Sequence, residues 1–171
     1  MINDKKLKYL MSEDGMDYYS YVPKFGKWMY KNYDHMRFQR WVRYLLEYIS
    51  EGRYVVYYMA KGDCILGYCF SAAGGRRLKC SNKNDIVLGP YYVLPEHRGN
   101  GYSKMLIRTV AEKLHTNYEF AYDYISRDNI SSLRATEACG FDKYKELNIV
   151  GFFRKLNIVN NGEYIVYRKH L

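Results

Sequence analysis

The chain has 171 residues, 48% of them hydrophobic, and a formal net charge of +9. One domain spanning 1–171 is the natural expectation, with apolar material enough for a core and no biased run of the kind that keeps a chain disordered. No apolar run is long enough to cross a membrane, and the opening Met-Ile-Asn-Asp-Lys-Lys lacks the apolar stretch of a secretory leader.

In chain order, Lys6 to Met11 alternates weakly and predicts an edge strand, broken by Ser12-Glu13-Asp14-Gly15. Met16 to His35, rich in aromatics and carrying Pro23 and Gly26, reads as irregular chain or short helix. Phe38, Trp41, Val42, Leu45 and Ile49 make one helical stripe, which Glu51-Gly52 ends. Arg53 to Met59 and Cys64 to Ser71 form a hairpin about Ala60-Lys61-Gly62-Asp63. Ala72 to Asn84 is a basic loop. Asp85 to Leu94 is the central strand, interrupted by Gly89-Pro90. Proline lacks the N–H that a ladder needs, so this pair predicts a bulge or a strand that parts from its neighbour. Leu106, Ile107, Val110, Ala111 and Leu114 give the next helix a buried face. Phe120 to Ser126 is a strand, Asn129 caps a short helix, and Gly140 suits the left-handed closing position. Phe141 onward turns β-like, and Asn160-Asn161-Gly162 predicts a hairpin turn into a last strand, Tyr164 to Arg168. The order gives an α/β fold, a mixed sheet flanked by helices, with parallel strands at the central strand–helix–strand crossover.

Between that central strand and its helix lies His97-Arg98-Gly99-Asn100-Gly101. Two glycines permit close approach of a ligand to the backbone, the following helix points free N–H groups into the turn, and Arg98 adds a fixed charge. A diphosphate suits this turn. The dinucleotide fingerprint fails because Lys104 stands where a third glycine is needed, and the ATP/GTP phosphate loop fails on spacing. Arg98-Gly99-Asn100-Gly101-Tyr102-Ser103, directly after a strand ending Tyr-Val-Leu-Pro-Glu, resembles the acyl-coenzyme A loop of the GNAT superfamily of N-acetyltransferases. Ser103 departs slightly from its usual final Gly or Ala. Asp128-Asn129-Ile130-Ser131-Ser132-Leu133, ending Cys139-Gly140-Phe141, resembles the second signature of that family. The resemblance implies a GNAT-like fold and acetyl-CoA as co-substrate. It places the cofactor on Tyr91, Tyr92, Val93, Arg98, Gly99, Asn100, Gly101, Tyr102, Ser103, Asn129 and Ser132, with the pantetheine arm pairing to the backbone of Tyr91, Tyr92 and Val93. The reaction it implies is acyl transfer from a thioester to an amine held in a ternary complex, with a strand N–H near Tyr92 or Val93 stabilising the oxyanion.

Acid and base depart from the family's pattern. Thr136 stands where many members place a tyrosine acid, and Tyr124 where some place a glutamate base. Tyr124 is the candidate catalytic residue, by relay through water or as an acid from a new place. Glu96 and His97 flank the loop, and Asp85, Glu119 and Asp123 are further candidate bases. A small primary amine, such as an amino sugar able to stack on tyrosines of the N-terminal third, is the expected acceptor. A non-catalytic acyl-CoA binder and a basic nucleic-acid binder remain as alternatives. The latter would account for +9 and 21 tyrosines, but the basic residues are spread rather than clustered. Cys64, Cys69, Cys80 and Cys139 form no Cys-x-x-Cys pair, and no His-Glu-x-x-His occurs. No metal is expected, and reduced thiols in a cytoplasmic setting are. The oligomeric state is left open, a homodimer included.

Overall fold

The computed structural model of the chain describes residues 2, 4–31, 45, 54–75, 78–151 and 154–171. Its strands are β1 (Lys8–Glu13), β2 (Met16–Tyr21), β3 (Tyr54–Lys61), β4 (Cys64–Ala73), β5 (Ile86–Val93), β6 (Phe120–Ser126), β7 (Asp142–Val150), β8 (Lys155–Val159) and β9 (Tyr164–His170). They make one sheet in the order β1-β2-β3-β4-β5-β6-β9-β7-β8. Every neighbouring pair is antiparallel except β5 and β6. Those two are parallel because the chain crosses between them through helix α1 (Tyr102–Arg108), which continues as a wider π-type turn over Thr109–Lys113. Helix α2 (Ile130–Glu137) follows β6. This is the mixed α/β sheet with flanking helices that the sequence implies.

The alternation of side chains along the central strands sorts the core into two faces. Ile86 and Leu88 of β5, Ala121 and Ile125 of β6, and Leu106, Ile107, Val110 and Ala111 pack together on the helical face. Val87 and Tyr122 point to the other face with Leu147, Leu156 and Val166. The N-terminal hairpin is tied to the first helix by polar contacts. The Thr109 hydroxyl lies 3.2 Å from the Tyr18 hydroxyl and 3.3 Å from a Glu13 carboxylate oxygen, and Lys113 pairs with Glu13.

Two sequence expectations need correction. Met16 to Tyr21 is not irregular but a strand, β2, registered against both β1 and β3. Its aromatics fit a pleated surface covered on both sides: Tyr18, Tyr19 and Tyr21 are all buried. A run buried on both faces lacks the simple alternation that marks a half-exposed strand. The turn at Asn160-Asn161-Gly162 does not join a hairpin either. β8 pairs with β7, whereas β9 runs between β6 and β7. Turn chemistry predicts a reversal of direction, not which strand lies alongside. The edge strand is present, starting at Lys8 and ending at Glu13. The stripe Phe38 to Ile49 lies outside the described residues except for Leu45, which is helical and packs on the cluster around Tyr19, Tyr54 and Tyr68.

Half of the tyrosines among the described residues are buried in this core. Buried tyrosines place their rings among apolar groups and their hydroxyls on a partner. The Tyr19 hydroxyl accepts from Ile2 N–H at 2.9 Å, the Tyr58 hydroxyl accepts from Tyr30 N–H at 3.0 Å, and the Tyr167 hydroxyl donates to Glu137 at 2.8 Å. Rings held in this way are not available to stack on nucleic-acid bases.

Candidate active site

The two edges of β5 behave differently. Toward β4 the pairing continues from Ile86 to Val93, with one irregularity where Gly89 and Pro90 pass Phe70. Toward β6 only Ile86 with Ala121 and Val87 with Tyr122 are paired. Beyond Val87 the two parallel strands part, as the Gly89-Pro90 pair predicts; this peptide is cis and Gly89 has φ +92°.

Past the parting, backbone direction is set by the β4 ladder. Leu94 N–H donates to Leu66 O at 2.9 Å. By the period of the strand, the amide groups of Tyr92 face β4 as well, and those of Tyr91 and Val93 face the opening. The expected pairing edge is therefore Tyr91 and Val93, with Tyr92 contributing its side chain. Its ring stacks on Tyr68 at 5.6 Å and carries the Arg98 guanidinium 5.1 Å from its centroid.

The loop that follows is built as its residues dictate. Leu94 leads into a 3-10 turn, Pro95–His97. Gly99 and Gly101 take φ +83° and +76°, and a side-chain carbon at either would meet nothing within 4 Å. Conformation rather than crowding selects glycine at both. The Asn100 side chain donates to the carbonyls of His97 (3.1 Å) and Arg98 (3.3 Å) and so holds the loop's shape. Arg98 leans back on β5, its Nε donating to Val93 O at 3.1 Å, so its charge is fixed at the lip of the opening. On the opposite wall Asn129 caps α2, accepting from Ser132 N–H at 3.3 Å and from the Ser131 hydroxyl at 3.0 Å.

These walls enclose a cavity of about 400 Å³. Tyr91, Tyr92, Val93, Arg98, Gly99, Gly101, Tyr102, Ser103, Asn129 and Ser132 all line it; of the residues the sequence singles out for the cofactor, Asn100 alone does not. His97, Ser131 and Ala135 line it in addition. A strand with amide groups facing an open seam, a helix start in a glycine loop and a fixed guanidinium together suit an extended amide-bearing arm ending in phosphates. Among the described residues no cluster of His, Cys, Asp and Glu could hold a metal ion.

The catalytic candidates fall differently. Tyr124 lies on the face of β6 away from the helices, packed on the cluster around Tyr122 and Val166 and edge-on to Tyr164 at 6.4 Å. Asp85 is fully buried and its carboxylate accepts from Asn82 N–H at 2.6 Å, which ties down the basic loop. Glu96 and Glu119 are exposed, and His97 Nε2 lies 3.5 Å from Cys64 Sγ. Asp123 and Thr136, separate in sequence, meet: Thr136 Oγ1 donates to Asp123 Oδ2 at 3.3 Å, and the Tyr91 hydroxyl sits 3.1 Å from Thr136 Oγ1 and 3.1 Å from Ser132 O. Burial holds the Tyr91 phenol well above its ordinary value, the charge of Asp123 adding to the effect. One sequence signal could have found this group: Ala121, Asp123 and Ile125 share a face of β6, so a carboxylate points where its neighbours are apolar.

No curated protein matches this sequence. Among solved structures, similar folds include an acetyltransferase from Thermus thermophilus (17% identity, TM-score 0.56, covering 75% of this chain and 71% of that one). Another is yncA of Salmonella typhimurium, determined with its cofactor acetyl-CoA (19%, 0.51, 77% and 71%). A third is the spermidine N-acetyltransferase of Vibrio cholerae in complex with CoA and spermine (16%, 0.52, 80% and 76%). At such identities the likeness is one of fold. The family model of the acetyltransferase (GNAT) family matches residues 19–141, which spans the parted strand, the glycine loop and α2. With most of its length inside that match, this chain belongs to the GNAT family of acetyltransferases, acyltransferases whose co-substrate is acetyl-CoA.

Proposed function

We propose that the chain, working as one domain over 1–171, transfers the acetyl group of acetyl-CoA to the primary amine of a small molecule such as an amino sugar, by direct attack in a ternary complex. The observation that carries this reading is the opening between β5 and β6, continuous with the glycine-loop cavity. In it the backbone of Tyr91 and Val93 holds the pantetheine arm, and the loop from Arg98 to Ser103 holds the diphosphate. Asn129 and Ser132 close the far wall. The Val93 N–H is the donor best directed at an oxyanion in the opening.

The acceptor side is supported by where the partly open tyrosines lie. Tyr92 on β5 and Tyr124 on β6 share the face away from the helices and flank the parting, each backed by a second ring, Tyr68 and Tyr164. Flat aromatic walls suit the apolar face of a sugar ring. Tyr18, Tyr19 and Tyr21 no longer support this acceptor, because they are core. Tyr124 contacts the acceptor in this reading and orders water near its amine.

Thiol release from acetyl-CoA is the assay, with D-glucosamine, spermidine and a peptide bearing a free N-terminus compared at equal concentration. Glucosamine is expected to give the highest kcat/KM. A higher value for the peptide would overturn the small-molecule reading, a higher value for spermidine would move it to polyamines, and acetyl-CoA binding without turnover of any amine would leave a binder.

A further inference from the structure

A buried carboxylate is joined to the cavity by two hydroxyls. Asp123 and Thr136 are almost fully buried, at 4% and 0% exposure, whereas Tyr91 lines the cavity. The single hydroxyl proton of Thr136 is directed to Asp123 Oδ2. Thr136 then has no second proton to give, so in its 3.1 Å contact with Tyr91 the donor is Tyr91, whose one proton is shared with Ser132 O, also 3.1 Å away. The row then runs from the Tyr91 hydroxyl through Thr136 to the carboxylate, and Tyr91 also lines the cavity.

We propose that Tyr91, Thr136 and Asp123 form a proton relay that takes a proton from the acceptor's ammonium group and stores it on Asp123. The proposal rests on the acetyltransferase reading of this cavity. In one concerted movement an N–H bond of the ammonium breaks as an O–H bond forms on Tyr91. The original Tyr91 proton passes to Thr136, and the original Thr136 proton passes to Asp123. The amine, now neutral, uses its lone pair to form the C–N bond as the carbonyl π pair moves onto oxygen, and the C=O bond then re-forms as the C–S bond of the thioester breaks. The stored proton returns along the same row to the leaving thiolate, and the remaining excess proton on nitrogen goes to water, so Asp123 ends as it began.

Concerted movement is required by the surroundings. Burial keeps the Tyr91 phenol from ionising on its own, so it acts only by passing one proton on as it receives another. Two other titratable groups near the row do not compete near neutral pH. Cys69 on β4 is pushed up to about 12 by burial, with Asp123 adding to the shift, and the Tyr167 phenol on β9 is raised by burial and by Glu137. Gly89 leaves room for the carboxylate: a side-chain carbon there would stand 3.1 Å from Asp123 Oδ1. Tyr91 is the catalytic residue in this scheme, and Thr136 and Asp123 act through it.

Tyr91→Phe, Thr136→Val and Asp123→Asn each cut the row while keeping shape, and Thr136→Ser keeps it. Each variant is assayed from pH 6 to 10 with whichever of glucosamine, spermidine and the peptide the unmutated protein turns over fastest. Acetyl-CoA affinity is measured separately by calorimetry. The first three should lose about 100-fold in kcat near neutral pH, as expected for a lost general base. The deficit should shrink as the pH passes the point at which the amine is neutral in solution. Thr136→Ser should restore most of the rate, and acetyl-CoA affinity should stay within about threefold. A deficit constant across pH, or no deficit, with acetyl-CoA still bound, would overturn the relay alone. No binding of acetyl-CoA by the unmutated protein, or no turnover of any amine, would overturn the relay together with the reading it rests on.

Discussion

The two seams of β5 teach what this fold invests in its active site. The seam with β4 is closed along the strand and contains Gly67, where a side-chain carbon would stand 2.6 Å from Tyr92 O. The seam with β6 is closed for two residue pairs and then opens, and the glycines beside it, Gly99 and Gly101, face empty space. The closed seam thus uses glycine on β4 for contact, and the loop beside the open seam uses it for conformation. Polar backbone groups left without a strand partner are costly unless something satisfies them. Here the Tyr91 groups and the Val93 N–H face the cavity, and Val93 O accepts from Arg98 Nε.

This contrast is open to direct attack. The largest effect is expected in the closed seam. Gly67→Val drives a branched side chain into the β5 backbone and should cost on the order of 3 kcal/mol or more, read as a lower urea midpoint. A midpoint unchanged would mean that the seam yields and is not the rigid half.

The closed half also carries acid sensitivity. His115 packs between Tyr57 on β3 and Tyr118, with both centroids at 5.3 Å, and burial lowers it from the ordinary 6.5 to about 4. Unfolded chains take up this proton near pH 6.5, and the folded protein only near pH 4. The contribution is complete above pH 6.5, declines as the pH falls toward 4 and is flat below. It amounts to about 3 kcal/mol over that window. His115→Phe should flatten this part of the stability profile while leaving acetyl-CoA affinity alone; a profile as steep as before would place the acid sensitivity elsewhere.

In the open half, effects move from stability to binding. Arg98→Ala removes the guanidinium at the lip and should weaken acetyl-CoA about tenfold, roughly 1.4 kcal/mol, with little change in the urea midpoint. Equal loss of both would show that the arginine mainly braces Val93. The smallest effect is expected from Tyr124→Phe. Its ring packs at the edge of the opening, so kcat should fall less than about threefold, whereas KM for the amine rises. A loss of about 100-fold in kcat would make Tyr124 the proton-transfer group and displace Tyr91.

How much of this was legible in the sequence follows the same division. The parted strand was readable because Gly89-Pro90 has a local meaning: a missing donor and a residue at positive φ. The loop from Arg98 to Ser103 and the Asn129 cap were readable for the same reason, since caps and glycine turns are properties of adjacent residues. β2 was missed because its burial on both faces erases alternation, and the place of β9 because strand order is set by packing across the sheet rather than by the turn before it. The link between Tyr91, Thr136 and Asp123 joins three separate elements. Only the face-sharing of Ala121, Asp123 and Ile125 hinted at it. Backbone chemistry is written locally, whereas side-chain constellations are written in the topology.

The central claim is that the opening beside β5 and the glycine loop hold acetyl-CoA together. Its most direct test is the melting temperature with and without acetyl-CoA for the unmutated chain and for Gly101→Val, whose branched residue is poorly suited to φ +76° and would protrude into the loop proposed to hold the diphosphate. The account predicts a rise for the unmutated chain, equivalent to about 2.7 kcal/mol at a ligand concentration one hundred times the dissociation constant, and no rise for a folded Gly101→Val protein. An equal rise in both, or none in the unmutated chain, would contradict it.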